Sequence, residues 1–194
     1  MIKTTAIMLQ ELNDYKNPRD KLAHMVKKKE CIPVIQGLYE TNPTTPGYRL
    51  ANTICSPSYL SFEFALSYHG LIPEAVYNFT SATFEKKKKK EFKTPFGTFT
   101  YRDVPSAAYP YGIECVSENG YTFQIASPEK ALCDELYIQS PVTSQRELKE
   151  LLFDGLRIDW ELFCKLNMDD ILFLNSKYHC TNIQKLTKTM EKIA

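Results

Sequence analysis

Two serine–proline pairs frame the middle of this 194-residue chain and constrain where its helices can start. Ser56-Pro57 leads into SYLSFEFALSYHG, which stops at Gly70 with Pro73 just beyond, and Ser127-Pro128-Glu129 leads into KALCDELY. A serine hydroxyl can accept a bond from an unpaired N–H at a helix start, and proline at the next position sacrifices no donor. Between the pairs lie two segments of alternating character, EFKTPFGTFTYRDVP and GIECVSENGYTFQIA. Alternation with period two reads as strands. The expected body is therefore helix–antiparallel sheet–helix, an α+β fold.

Local signals place the other elements. Thr4 or Thr5 to Tyr15 reads as a first helix, with Ile7, Met8, Leu12 and Tyr15 on one face. Asn17-Pro18 repeats the cap-plus-proline start for a second helix, which runs to about Glu30 with Leu22, Met25 and Val26 inward and Pro33 ending it. VIQGLYE and GYRLAN read as two short strands joined by the turn-rich TNPTTPG. Helix, helix, β-ribbon is a shortened winged-helix pattern. Further on, NFTSATF reads as a strand, FKTPFGTFTYRDV as a hairpin turning at Pro95-Phe96-Gly97, and IECVS with YTFQIA as a hairpin through Asn119-Gly120. From Pro141 the tail is helical. Helices start at Ser144, Asp159 and Asn167, and a last one carries Ile183, Leu186, Met190 and Ile193. The expected division is a truncated winged-helix-like element at 1–52 and an α+β domain with a helical C-terminal tail at 53–194.

Composition narrows the class. Hydrophobic residues at 43% suffice for a core, and no stretch reaches the apolar length a membrane span needs. Cysteines at 31, 55, 115, 133, 164 and 180 show neither CxxC nor a regular spacing, as expected of reduced thiols in a cytoplasmic protein. The formal charge of +1 hides an asymmetry: residues 1–60 hold eight Lys/Arg against five Asp/Glu, whereas residues 106–194 hold nine against thirteen. A basic front and an acidic back fit an anionic partner on one side.

Catalytic machinery is not visible. The histidines are His24, His69 and His179, and none stands in an HxE, HxxxH or Cys–His ligand spacing. Asp134-Glu135 and Asp169-Asp170 are adjacent on helices, where neighbouring side chains diverge and poorly suit a shared metal. No glycine-rich phosphate loop occurs. The expectation is a non-enzyme with no catalytic residue, no metal and no cofactor. His69, before Gly70 at a helix end, reads as a cap. Tyr59, Phe62, Tyr68, Tyr109 and Tyr111 read mostly as core aromatics.

The segments PSYLSFEFALSYHGLIPEAVYNFTSATF, TPFGTFTYRDVP and IASPEKALCDELY, with IPVIQGLYET and GYRLAN upstream, resemble the AbiEi antitoxin family of bacterial type IV toxin–antitoxin systems. The resemblance covers roughly residues 18–140. It implies an N-terminal winged-helix unit that binds operator DNA and represses its own operon. It also implies a C-terminal domain that counteracts a nucleotidyltransferase-type toxin, without requiring a stable complex. The family's unit has one more helix between the first helix and the one before the wing; here Tyr15, Lys16 and Asn17 leave no room for it.

Under that resemblance Lys27, Lys28 and Lys29, at the end of the second helix, are the candidate DNA contacts, with Arg19 and Lys21 on its first turn and Tyr39 and Arg49 on the ribbon. The plainer reading is that cations at a helix C-terminus complement its dipole and stay solvated. Lys86, Lys87, Lys88, Lys89 and Lys90 form a run that cannot all face a core. They read as an edge guard, or as a docking surface for an acidic toxin face or nucleic acid. Two alternatives stand beside the antitoxin reading. One is a protein-interaction module without DNA affinity, its first helices serving as a dimer arm; the other is a nucleic-acid-processing enzyme.

Overall fold

The computed structural model describes residues 1–192 and is an α+β fold built on two sheets. The front unit comprises β1 (Ile2–Thr4), α1 (Thr5–Glu11), α2 (Pro18–Lys27), β2 (Ile32–Ile35) and β3 (Leu38–Glu40). Its strands form an antiparallel sheet in the order β1-β3-β2. A 3-10 turn (Gly47–Leu50) then runs into α3 (Ala51–Ile54). The larger body follows with β4 (Ser58–Leu60), α4 (Phe62–Tyr68), β5 (Asn78–Thr83), β6 (Lys90–Thr94), β7 (Gly97–Asp103), β8 (Ile113–Glu118), β9 (Tyr121–Ala126) and α5 (Pro128–Ile138). The tail holds α6 (Gln145–Lys149), a wide π turn (Glu150–Gly155), α7 (Trp160–Phe163), α8 (Met168–Tyr178) and α9 (Thr181–Met190). No described helix is long and apolar enough to cross a membrane.

The six-stranded sheet is mixed, not antiparallel as expected. Its order is β6-β7-β5-β4-β9-β8, with β5–β7 and β4–β9 parallel. The hairpins β6–β7 and β8–β9 are antiparallel as their turns dictate, and Asn119 and Gly120 take the positive φ (48° and 79°) that a tight hairpin turn needs. Each hairpin then lays its second strand alongside the central β5–β4 pair. Turn chemistry governs pairing within a hairpin and says nothing of how hairpins assemble.

Three other expectations are corrected. SYLSFEFALSYHG does not form a helix throughout: Ser58, Tyr59 and Leu60 are all buried in a central strand, and the helix starts only at Phe62. GYRLAN is helical, because Gly47, Leu50, Ala51 and Ile54 are the buried positions and recur at three- and four-residue spacing. The ribbon instead folds within residues 32–40, turning at Gly37 with φ 82°, and Pro33 lies inside β2. The first helix ends at Glu11, leaving Ile7 and Tyr15 exposed, and β1 was not foreseen. The tail starts are as expected, with Ser144, Asp159 and Asn167 accepting bonds from Glu147, Leu162 and Asp169 N–H at 3.1, 2.9 and 2.9 Å. Ile183, Leu186 and Met190 are buried; Ile193 lies outside the described residues.

Alternate strand positions put two layers on the large sheet. Tyr59 faces α5, donating to Asp134 at 3.0 Å, while Tyr101 faces α3 and donates to the Ala51 carbonyl at 2.7 Å. Val34, Leu38, Leu50 and Ala51 join this main core, whereas Met8, Leu12, Leu22 and Cys31 form a separate small cluster under α1 and α2. The front sheet is tied to the β8–β9 hairpin by Tyr121, whose hydroxyl donates to the buried Glu40 at 2.9 Å and lies 3.0 Å from the Thr45 hydroxyl.

Candidate functional site

Helix α2 begins at Asn17, whose side chain accepts from Asp20 N–H, with Pro18 in the first turn. It ends in a Schellman motif: Lys29 N–H donates to Val26 O at 3.0 Å and Glu30 N–H to Met25 O at 2.9 Å. That motif puts one residue in the left-handed region, and here it is Lys29, with φ 59°. Glycine is the residue usually found there, because a Cβ costs about 1 kcal/mol in that conformation. Lys27, Lys28 and Lys29 are all exposed, so the structure brings three cations together where α2 hands over to β2.

The remaining candidates on α2 diverge. His24, Lys27 and Lys28 share the outward stripe of the helix, whereas Arg19, Ala23 and Val26 share the neighbouring one. That second stripe borders a cavity of about 370 Å³ between Leu9 of α1, Arg19, Leu22 and Val26 of α2, and Tyr39 of β3. Lys21 folds back over the Tyr15 ring, with its Nζ 4.8 Å from the centroid.

Arg49 stands apart from these, on the 3-10 turn and not on the ribbon. Its Nη2 donates to Glu118 Oε2 at 2.9 Å, an oxygen that also accepts from Tyr48 OH at 2.9 Å, while Tyr68 OH donates to Oε1 at 3.2 Å. The bond from Arg49, then that from Tyr48, holds the Glu118 carboxyl below its ordinary range. The guanidinium also lies over the Tyr48 and Tyr121 rings, 5.5 and 6.0 Å from their centroids. This is a clamp between the 3-10 turn and the β8–β9 hairpin.

The lysine run fills the loop before the edge strand β6 and ends in that strand's first residue, Lys90; the loop is shaped by Asp103. The Asp103 carboxylate accepts from Thr83 Oγ1 at 2.6 Å, from Lys86 N–H at 3.0 Å and from Lys87 N–H. Burial would raise its pKa, but these bonds outweigh burial and lower it. Lys86 reaches back to the Ser56 carbonyl at 2.9 Å and is half-buried; Lys87 to Lys90 are exposed. Lys87, like Lys29, sits in the left-handed region, at φ 61°.

The sequence reading missed a buried charge network on α5. Lys130, Asp134 and Glu135 are fully buried, since residues 130 to 136 are enclosed on every side. Asp134 accepts from Tyr59 OH at 3.0 Å, from Ser61 Oγ at 2.6 Å and from Tyr178 OH. Lys130 Nζ lies 3.4 Å from Asp134 and donates to Tyr178 OH and, at 2.8 Å, to the Ala108 carbonyl. One carboxylate thus joins β4, α5 and α8. Burial, followed by the Glu63 charge, pushes Glu135 up to about 7. The one available signal was the i,i+4 Lys-to-Asp spacing, which on most helices marks a solvated pair.

His69 caps α4, and its Nε2 lies 2.7 Å from the Ala126 carbonyl, a packing role. Tyr59 and Phe62 are core, while Tyr68 and Tyr111 are exposed. Among the described residues no three His, Cys, Asp or Glu side chains converge as a metal site. In comparisons with known proteins, no family model and no curated protein matches this chain.

Proposed function

We infer that the chain is an antitoxin of the AbiEi type, acting against a nucleotidyltransferase-type toxin and repressing its own operon through operator DNA. The observation that carries this reading is the junction of α2 and β2. A helix ends in three exposed lysines, one of them held in a left-handed conformation that glycine would adopt at lower cost, and an antiparallel ribbon follows directly. The front unit is a shortened winged helix, with α2 presenting His24, Lys27 and Lys28 to the phosphate backbone. Contacts of this kind position a protein on a duplex and make affinity fall steeply with salt. Arg49 supports the unit from behind through Glu118.

The experiment is an electrophoretic shift with the DNA upstream of the reading frame, at two salt concentrations. The intact chain is expected to shift the fragment at low salt, with the shift weakened by Lys27–Lys29→Ala. Co-expression with a neighbouring nucleotidyltransferase should restore growth. No shift at low salt removes the repressor role, and undiminished lethality removes the antitoxin role.

A second reading is favoured by the cavity beside α2. Leu9, Leu22, Val26 and Tyr39 leave apolar surface there, as a protein-interaction arm would. Sedimentation of the pure chain, alone and with Ala23→Arg, decides whether that face joins two copies.

A further inference from the structure

A second basic feature stands on the large sheet, away from α2. A cavity of about 320 Å³ is lined by Lys89, Lys90, Glu91, Thr100, Tyr101 and Arg102. Strand β7 turns Phe99 and Tyr101 into the core, so Thr100 and Arg102, one position out of step, share the opposite face. Glu91 of β6 registers beside Thr100.

The polar groups here are poorly matched to one another. Arg102 is half-buried with its guanidinium 5.7 Å from the Phe62 ring centroid, and it forms no ion pair or hydrogen bond with any described residue. The Thr100 Oγ1 atom is buried without a hydrogen-bond partner. Lys89 and Lys90 make no ion pair among the described residues, and Glu91, the carboxylate of the lining, lies 3.4 Å from Lys93. Glu135 senses the Arg102 charge but does not pair with it. Three cations therefore surround one cavity with a single, already shared, counter-charge.

We propose that this cavity is an anion site that takes a phosphate group, with Arg102 as the bidentate donor and Lys89 and Lys90 at the mouth. The planar guanidinium fork matches two phosphate oxygens, and lysines add point charge without fixing geometry. No aromatic face is offered to a base: the Tyr101 hydroxyl is bonded to the Ala51 carbonyl, and Phe92 packs on Tyr101. The site therefore reads phosphate without reading sequence. The group could come from a nucleic-acid strand or from a small phosphorylated molecule. The inference does not depend on the DNA role of α2.

The test titrates inorganic phosphate into the intact chain, following the Thr100 and Arg102 amide resonances. A labelled twelve-residue oligothymidylate and its oligoadenylate counterpart are then offered in competition. Phosphate is expected to shift both resonances, and Arg102→Gln to weaken binding about tenfold, the worth of one charge-assisted hydrogen bond. Lys89→Ala, which removes one exposed charge at the mouth, should weaken it about threefold. Equal displacement by both oligonucleotides assigns the site to a strand; phosphate binding that neither displaces assigns it to a small phosphorylated ligand. Unmoved resonances, or Arg102→Gln binding phosphate as tightly as the parent, overturn the proposal. If Arg102→Gln does not fold, by circular dichroism, Lys89→Ala decides.

Discussion

Lys130 and Asp134 stand one helical turn apart on α5, 3.4 Å from Nζ to Oδ1, and neither side chain is exposed to solvent. The pair is asymmetric. Without Lys130, Asp134 still accepts from Tyr59, Ser61 and Tyr178. Without Asp134, Lys130 loses its counter-charge, and three hydroxyls lose their acceptor. Asp134→Ala is expected to cost about 3–5 kcal/mol in urea unfolding, the usual penalty for a stranded buried charge. Lys130→Met should cost distinctly less. A larger loss for Lys130→Met than for Asp134→Ala would show that the lysine, not the carboxylate, organises the network.

Stability should fall as pH rises through the window set by Glu135. Its folded pKa is about 7, against an ordinary value of 4.5, so between these values the folded chain binds a proton that the unfolded chain has released. Folding is thus favoured at the acid end of that window and loses this contribution as pH approaches and passes 7. The difference is worth roughly 3 kcal/mol at most. Asp103, whose folded pKa is lowered, adds stability above its unfolded value that is lost at still lower pH. Thermal melts at pH 5, 6, 7 and 8 should show the decline, and Glu135→Gln should flatten it. A Glu135→Gln variant with the parent's slope would assign the titration elsewhere.

Lys29→Gly relieves a left-handed lysine (φ 59°) and is expected to stabilise the fold by about 0.5–1 kcal/mol. It also removes a cation from the α2 terminus. If that terminus contacts DNA, the salt dependence of operator binding should shallow by about one unit of slope. Gain of stability with an unchanged slope would leave Lys29 outside any DNA contact.

Arg49→Ala opens the clamp on Glu118. The side chain is 11% exposed, so the expected result is a loss of about 1–2 kcal/mol in stability. If the α2 terminus contacts DNA, the salt slope of that binding should stay that of the parent, in contrast to Lys27–Lys29→Ala. A shallower slope without destabilisation would return Arg49 to the DNA contacts.

Gly47→Ala should be among the most damaging single substitutions. A Cβ there would lie 2.2 Å from the Phe79 ring and 2.3 Å from the Phe96 carbonyl oxygen, and backbone cannot yield as a side chain does. A cost of about 2–3 kcal/mol is expected from such overpacking. Gly120→Ala meets nothing within 4 Å, and its smaller cost comes from φ 79° alone. Chemical denaturation of both variants ranks them.

What could be read from the residues follows from how local each signal is. Asn17-Pro18, Ser127-Pro128, Asp159 and Asn167 start helices because a cap acts within three residues. Asn119-Gly120 closes a hairpin for the same reason. Strand β4 was hidden because Ser58, Tyr59 and Leu60 draw their identity from β5 and β9, remote in the chain. The exposed lysines were legible, since five in succession cannot be enclosed. Lys130, Asp134 and Glu135 were not, because adjacent charges on a helix ordinarily face water, and only the surrounding tertiary structure makes them interior. Arg102 and Thr100 went unremarked because their meaning depends on the face of β7 they share.

The parallel register of Leu60 with Ile125 has a kinetic consequence. During synthesis β4 emerges long before β9, so one side of it stays bare while β5 and the β6–β7 hairpin form. Joining such distant segments closes a long loop, which slows folding relative to folds built from neighbouring pairs. Until β9 arrives, that bare edge can accept a strand from another nascent chain. Weak induction, which lowers the number of nascent chains present together, should therefore favour the folded product over aggregates.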